Sequence, residues 1–77
     1  MIEVLLFAQL QEDAGTDRLT LNIEKLSVKQ LRKKLMETYN LQQVKESMVA
    51  VNEVYALDKE WIQSGDTVAI IPPVSGG

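Results

Sequence analysis

One helix is written strongly into this chain. Ser27 is followed three residues later by Gln30, the reciprocal spacing with which a side chain and a backbone amide cap each other at a helix start. Val28, Leu31, Leu35, Met36 and Tyr39 then recur at helical intervals, while Lys29, Arg32, Lys33, Lys34 and Glu37 lie off that stripe. Asn40, which tolerates left-handed backbone, is the expected stop. A single amphipathic helix has one apolar stripe and covers one sheet face. Whatever sheet the remaining residues form should therefore keep a second face that carries no helix. The four basic residues of this helix read as a solvated face, and no function is assigned to them.

The rest of the chain supplies short strands. Residues 2–8 alternate, with Ile2, Val4, Leu6 and Ala8 on one parity and Glu3, Leu5 and Phe7 on the other, as in a well-buried central strand. Residues 9–14 suit a helical turn that ends at Gly15, and LTLNI (19–23) alternates again, so the start is hairpin-like. Residues 41–46 suit another helical turn before MVAV (48–51) returns to strand character. Asn52 and Glu53 then mark a tight turn into residues 54–56. The turn SGD (64–66) leads into the β-branched strand TVAII (67–71), and Pro72, lacking a ladder donor, ends it. Asp66 reads as turn chemistry, and Trp61 as a small-core or loop-packing residue.

The expected architecture is thus a two-layer α+β domain over residues 1–71, with four to five strands and one main helix, and an extended tail over residues 72–77. Strand parity places Leu5, Phe7, Thr67, Ala69 and Ile71 on the face without the helix, joined by Tyr55. That face is either a partner surface or is covered by loops and short turn elements.

Composition excludes several kinds of chemistry. At 77 residues the chain is one small domain, near the size that buries only about 60% of its unfolded surface. It has no cysteine and no histidine, so it lacks a thiol nucleophile, a thiolate metal site and the commonest general base. No metal site is expected. A net charge of −3 argues against nucleic acid as a partner. The opening MIEVLLFAQL carries Glu3 and no basic segment, and its apolar run is too short to span a bilayer, so no membrane association is expected and a cytoplasmic location is.

The last six residues, PPVSGG, ask for their own explanation. Pro72 and Pro73 favour a stiff, extended path away from the sheet. Counted from Val74, the four residues that end the chain reach at most about 13 to 14 Å when extended, enough to enter a pocket of another protein. Gly76 and Gly77 have no Cβ, so this backbone fits a channel too narrow for other residues and delivers an uncrowded carboxylate. A frayed terminus of no consequence is the competing reading.

Strand-strand-helix order with an extended Gly-Gly terminus resembles the ubiquitin-like β-grasp proteins. VLLFAQLQEDAG (4–15), VAVNEVY (49–55), SGDTVAIIPP (64–73) and PPVSGG (72–77) together resemble one branch of them, the small subunits of molybdopterin synthase, over essentially the whole chain. The pairing of SGDTV with PPVSGG is the most specific part, because the thiamine-pathway sulfur carriers share the fold and the Gly-Gly end but usually lack the double proline.

The resemblance implies a mixed β-grasp sheet and a sulfur carrier whose reactive group is the carboxylate of Gly77. No cofactor is expected to be bound stably. An E1-like adenylating enzyme would use ATP to activate Gly77, and sulfur would replace the nucleotide as a thiocarboxylate. Pro72, Pro73, Val74, Ser75 and Gly76 would insert that group into the large synthase subunit, in a heterotetramer of two small and two large subunits. There it would donate sulfur to a cyclic pyranopterin precursor, forming the dithiolene of molybdopterin. Phe7, Tyr55 and Ile71 match the family's apolar docking patch. Two departures stand out: Gln11 occupies a position where many members carry Arg, and Ile70 and Ile71 stand where aromatics are common. A β-grasp protein modifier or docking module, or the thiamine-pathway sulfur carrier, using the same Gly-Gly terminus is the alternative.

Overall fold

The computed structural model describes residues 1–73. Its elements run β1 (Ile2–Leu6), α1 (Gln9–Ala14), β2 (Arg18–Leu21), β3 (Lys25–Ser27), α2 (Val28–Thr38), a 3-10 turn (Gln42–Glu46), β4 (Met48–Val51), β5 (Val54–Tyr55), β6 (Trp61–Gln63) and β7 (Thr67–Ile71). Five strands form a mixed sheet in the order β2-β1-β7-β4-β5, and β3 and β6 pair in a separate two-stranded sheet. The β1–β7 pairing is parallel and the other pairings are antiparallel. The expected α+β β-grasp architecture is therefore present, with α2 as the main helix.

The helix forms where its capping residues direct. Ser27 accepts a hydrogen bond from the Gln30 N–H at 3.1 Å, and the Gln30 side chain accepts one from the Ser27 N–H at 2.9 Å. Two amides that would otherwise lack helical partners are thereby satisfied. At the other end Asn40 takes φ 58 and lets the Leu41 N–H return to the Leu35 carbonyl at 3.1 Å. Val28, Leu31 and Leu35 are fully buried, with Met36 and Tyr39 packed at the margin.

The strand register shows what α2 covers. Val4 pairs with Leu19 on one side and Val68 on the other, and Val68 pairs with Val51. A second row aligns Leu6, Ile70 and Val49. Paired residues share a sheet face, so these rows and Ile2–Leu21 make one continuous aliphatic surface. Ile2, Val4, Val68 and Ile70 are at 0% exposure against the helix. The β4–β5 connection is the expected two-residue turn, with Asn52 at φ 51 and Glu53 at φ 72, the left-handed pair that matches strand twist.

Three details differ from the sequence reading. The strands β3 and β6 were not expected, and Trp61, on β6, is 56% exposed, not core, with the Lys25 ammonium 4.7 Å from its ring centroid. Arg32 is not a freely solvated member of the helix face. Its Nε donates to Asp58 Oδ1 at 2.8 Å, and its Nη1 donates to the carbonyls of Val44 and Ser47 at 2.7 and 2.6 Å, tying α2 to the 3-10 turn and to the loop before β6. Finally, β1 ends at Leu6, because Ala8 takes φ 51, ψ −127 and the Leu10 N–H folds back onto the Phe7 carbonyl at 3.1 Å.

Candidate functional site: the open sheet face and the proline cleft

On the opposite parity the same strands build a different surface. One row crosses the sheet through Arg18, Leu5, Ala69, Ala50 and Tyr55, each paired with the next. Met48 pairs with Ile71 in the adjoining row, and Phe7 follows β1 at the same end. Phe7, Met48 and Tyr55 are 44%, 51% and 63% exposed, so among the described residues neither loops nor short helices close this face. Leu5, Thr67, Ala69 and Ile71 are half-buried. The reading in which loops and short turn elements cover this face therefore fails among the described residues.

The small residues Ala50 and Ala69 lower the centre of this surface. A shallow depression of about 390 Å³ lies there, lined by Leu5, Ala50, Asn52, Glu53, Thr67 and Ala69. Larger side chains stand around it, Phe7 and Met48 at one end and Tyr55 at the edge. Met48 and Ala50 belong to this face although the sequence reading did not place them there; the alternation of MVAV, with Val49 and Val51 as the inward pair, carries that signal.

The last described residues, Pro72 and Pro73, lie beside this face. A cleft of about 800 Å³ is lined by Phe7, Ala8, Gln9, Gln11, Glu12, Gln43, Ile71, Pro72 and Pro73. Pro72, expected to begin the projecting tail, is buried against the body, and Pro73 is exposed. The expected docking residues Phe7 and Ile71 thus meet the two prolines in one cleft, while Tyr55 stands further along the face on edge strand β5. Gln11 lies in the cleft wall as a neutral amide. The sequence assignments to Val74, Ser75, Gly76 and Gly77 lie outside the described residues.

The polar groups here are structural. Glu12 is exposed in α1, and Gln9 donates to Asp13 at 2.8 Å within that helix. Asp66 accepts from the Gln63 N–H at 2.8 Å and from Asn52 Nδ2 at 3.1 Å. The backbone donor at Gln63, then the Asn52 amide, hold its carboxyl below the ordinary carboxylate value. This is the turn role expected of Asp66. Among the described residues no group of three or more His, Cys, Asp and Glu is placed to hold a metal ion, and no helix is long and apolar enough to cross a membrane.

A family model described as the ThiS family matches residues 4–77. The molybdopterin synthase sulfur carrier subunit of Arabidopsis thaliana is 40% identical over 79 residues, spanning 99% of this chain and 82% of that relative. Among solved structures, SAMP1 from Haloferax volcanii superposes with a TM-score of 0.81 at 26% identity, covering 99% of this chain and 98% of that one. A chain from the protein–protein complex of subunits 1 and 2 of molybdopterin-converting factor from Helicobacter pylori shares the fold, with a TM-score of 0.68 at 22% identity and coverage of 99% and 97%.

Proposed function

This chain belongs to the ThiS family, and from that membership we propose that it is the sulfur carrier subunit of a molybdopterin synthase. The observation that carries the reading is the meeting of Phe7, Ile71, Pro72 and Pro73 in one cleft. A partner that covers the open face is then also beside Pro72 and Pro73, which precede the Gly-Gly segment in sequence. Binding and delivery are thereby coupled, although the reacting atoms belong to the partner's site and to Gly77.

The chemistry follows from what a carboxylate lacks. At neutral pH the Gly77 carboxylate is ionised, with a reference pKa of about 3.3 to 3.7, and has no leaving group. An E1-like adenylating enzyme joins it to the α-phosphate of ATP and releases pyrophosphate. A sulfur donor then displaces AMP, leaving one C-terminal oxygen replaced by sulfur. In the large subunit that thiocarboxylate is the sulfur source for a cyclic pyranopterin, and water restores the carboxylate. ATP belongs to the activating enzyme, and this chain holds no resident cofactor. Two sulfurs complete one dithiolene, so the carrier alternates between its two partners in the cytoplasm, and two small and two large subunits form the synthase. Docking through one face makes the activating and synthase complexes mutually exclusive.

Reconstitution with a large subunit and the pterin precursor tests this directly. The thiocarboxylate form should support dithiolene formation and return to the carboxylate mass. Deleting Gly77 shifts the reactive carbon by about 3.3 to 3.6 Å, where even about 1 Å can cost about 100-fold in rate. Product formation at the normal rate by the truncated chain would overturn the tail assignment. The modifier reading has its own signature: isopeptide-linked peptides bearing a Gly-Gly remnant in cells, without the sulfur-for-oxygen mass change.

A further inference from the structure

Tyr55 stands on β5, a strand of two residues at the edge of the sheet, with β4 as its single neighbour among the described residues. Two paired residues fix an orientation poorly by themselves. The far end of the hairpin is tied by the Ala56 N–H, which donates to the Val49 carbonyl at 2.9 Å. The turn end is tied by Asn52. Its side-chain Oδ1 accepts from the Thr67 N–H at 3.0 Å, and its Nδ2 donates to Asp66 Oδ1 at 3.1 Å. Its backbone N–H donates to the Thr67 carbonyl at 2.8 Å. Asp66 is itself fixed, since its Oδ2 accepts from the Gln63 N–H at 2.8 Å. One carboxamide therefore bridges the β4–β5 turn to the corner at which β7 begins.

That bridge does more than close a turn. A two-residue left-handed turn needs only backbone that tolerates φ near 51 and 72, which glycine provides more readily than asparagine and glutamate. The carboxamide adds two hydrogen bonds between that turn and the Asp66–Thr67 corner, beyond the β4–β7 ladder. Asn52 also lines the depression whose floor is Ala50 and Ala69, the residues in line with Tyr55.

We propose that Asn52 is a positioning residue for partner docking: its carboxamide locks the β4–β5 hairpin to the Asp66–Thr67 corner and so sets where Tyr55 stands on the open face. This rests on the docking role of that face given above. With the lock in place Tyr55 meets a partner already oriented, and without it the partner must order the hairpin as it binds.

Asn52→Gly tests the lock, because glycine accepts the positive φ and keeps the turn while removing the carboxamide. Affinity of the full chain for the purified large subunit is measured for wild type, Asn52→Gly, Tyr55→Ala and the double variant, with far-ultraviolet circular dichroism verifying the fold. Asn52→Gly is expected to weaken binding about tenfold, equivalent to about 1.4 kcal/mol. The double variant is expected to bind no more weakly than Tyr55→Ala, since a lock without its aromatic positions nothing. In synthase assays with loaded carrier, KM for the carrier should rise while kcat holds. Wild-type affinity in Asn52→Gly, or fully additive losses in the double variant, overturns the lock while leaving the docking face intact. Undiminished binding by Tyr55→Ala overturns the docking role of Tyr55 and the lock with it.

Discussion

The two faces of one sheet are made by the same five strands and serve opposite ends. Beneath α2 the inward residues are branched aliphatics, and Ile2, Val4, Val49, Val68 and Ile70 are at most 1% exposed. One residue further along each strand, the outward set is mixed in size, from Ala50 and Ala69 to Phe7, Met48 and Tyr55. Close packing against a helix demands uniform, well-filled volume. The open face instead has high points and a hollow. The covered face contributes stability; the open one is available for recognition at modest cost to the fold.

Substitutions on the two faces should separate along that line. The largest effect is expected beneath the helix: Leu35→Ala, at a position with 0% exposure, should lower unfolding free energy by about 2 to 5 kcal/mol in denaturant titrations. In a domain this small that is a large share of total stability. Next, under the docking role proposed above, Phe7→Ala should cost about 2 kcal/mol in affinity for the large subunit and for the adenylating enzyme, read by calorimetry, with stability changed by no more than about 0.5 kcal/mol. Equal losses of stability for Phe7→Ala and Leu35→Ala would erase the distinction between the faces.

A smaller change sharpens it. Ser27→Ala removes the helix cap and should cost about 1 kcal/mol of stability while leaving partner affinity untouched, because α2 touches only the covered side. The smallest effect concerns the sheet corner. Asp66 is depressed in the folded state, so below its ordinary value the unfolded chain binds the extra proton first. Its contribution is present above 3.8 and is lost as pH falls through the lower folded value. Asp66→Asn should therefore flatten the stability profile below about pH 4, as followed by thermal melts at closely spaced pH.

Much of this was legible because period and punctuation agreed. The capping pair at Ser27 and Gln30 fixed the start of α2, and β-branched TVAII before two prolines fixed the last strand. Leu5, Ala69 and Ile71 fall on the open face as their parity predicts, because alternation survives a small error in strand ends. What stayed hidden has physical reasons. β3 and β6 span three residues each, too short for alternation to register. Arg32 looked like its lysine neighbours, since a guanidinium that reaches two carbonyls and a carboxylate differs from a solvated one only through contacts distant in sequence. β1 stopped early because Ala8 adopts a backbone that few side chains favour, and nothing in alanine announces it.

The parallel contact between β1 and β7 joins segments far apart in the chain, Glu3 pairing with Thr67 and Leu6 with Ile70. During synthesis at about 5 to 20 residues per second, the sheet's middle place stays empty until Thr67–Ile71 have cleared the ribosome. A chain cut short upstream lacks the strand that unites β1 with β4, so it can assemble neither face. The open face, like the covered one, is thus a property of the completed sheet and of no shorter piece of it.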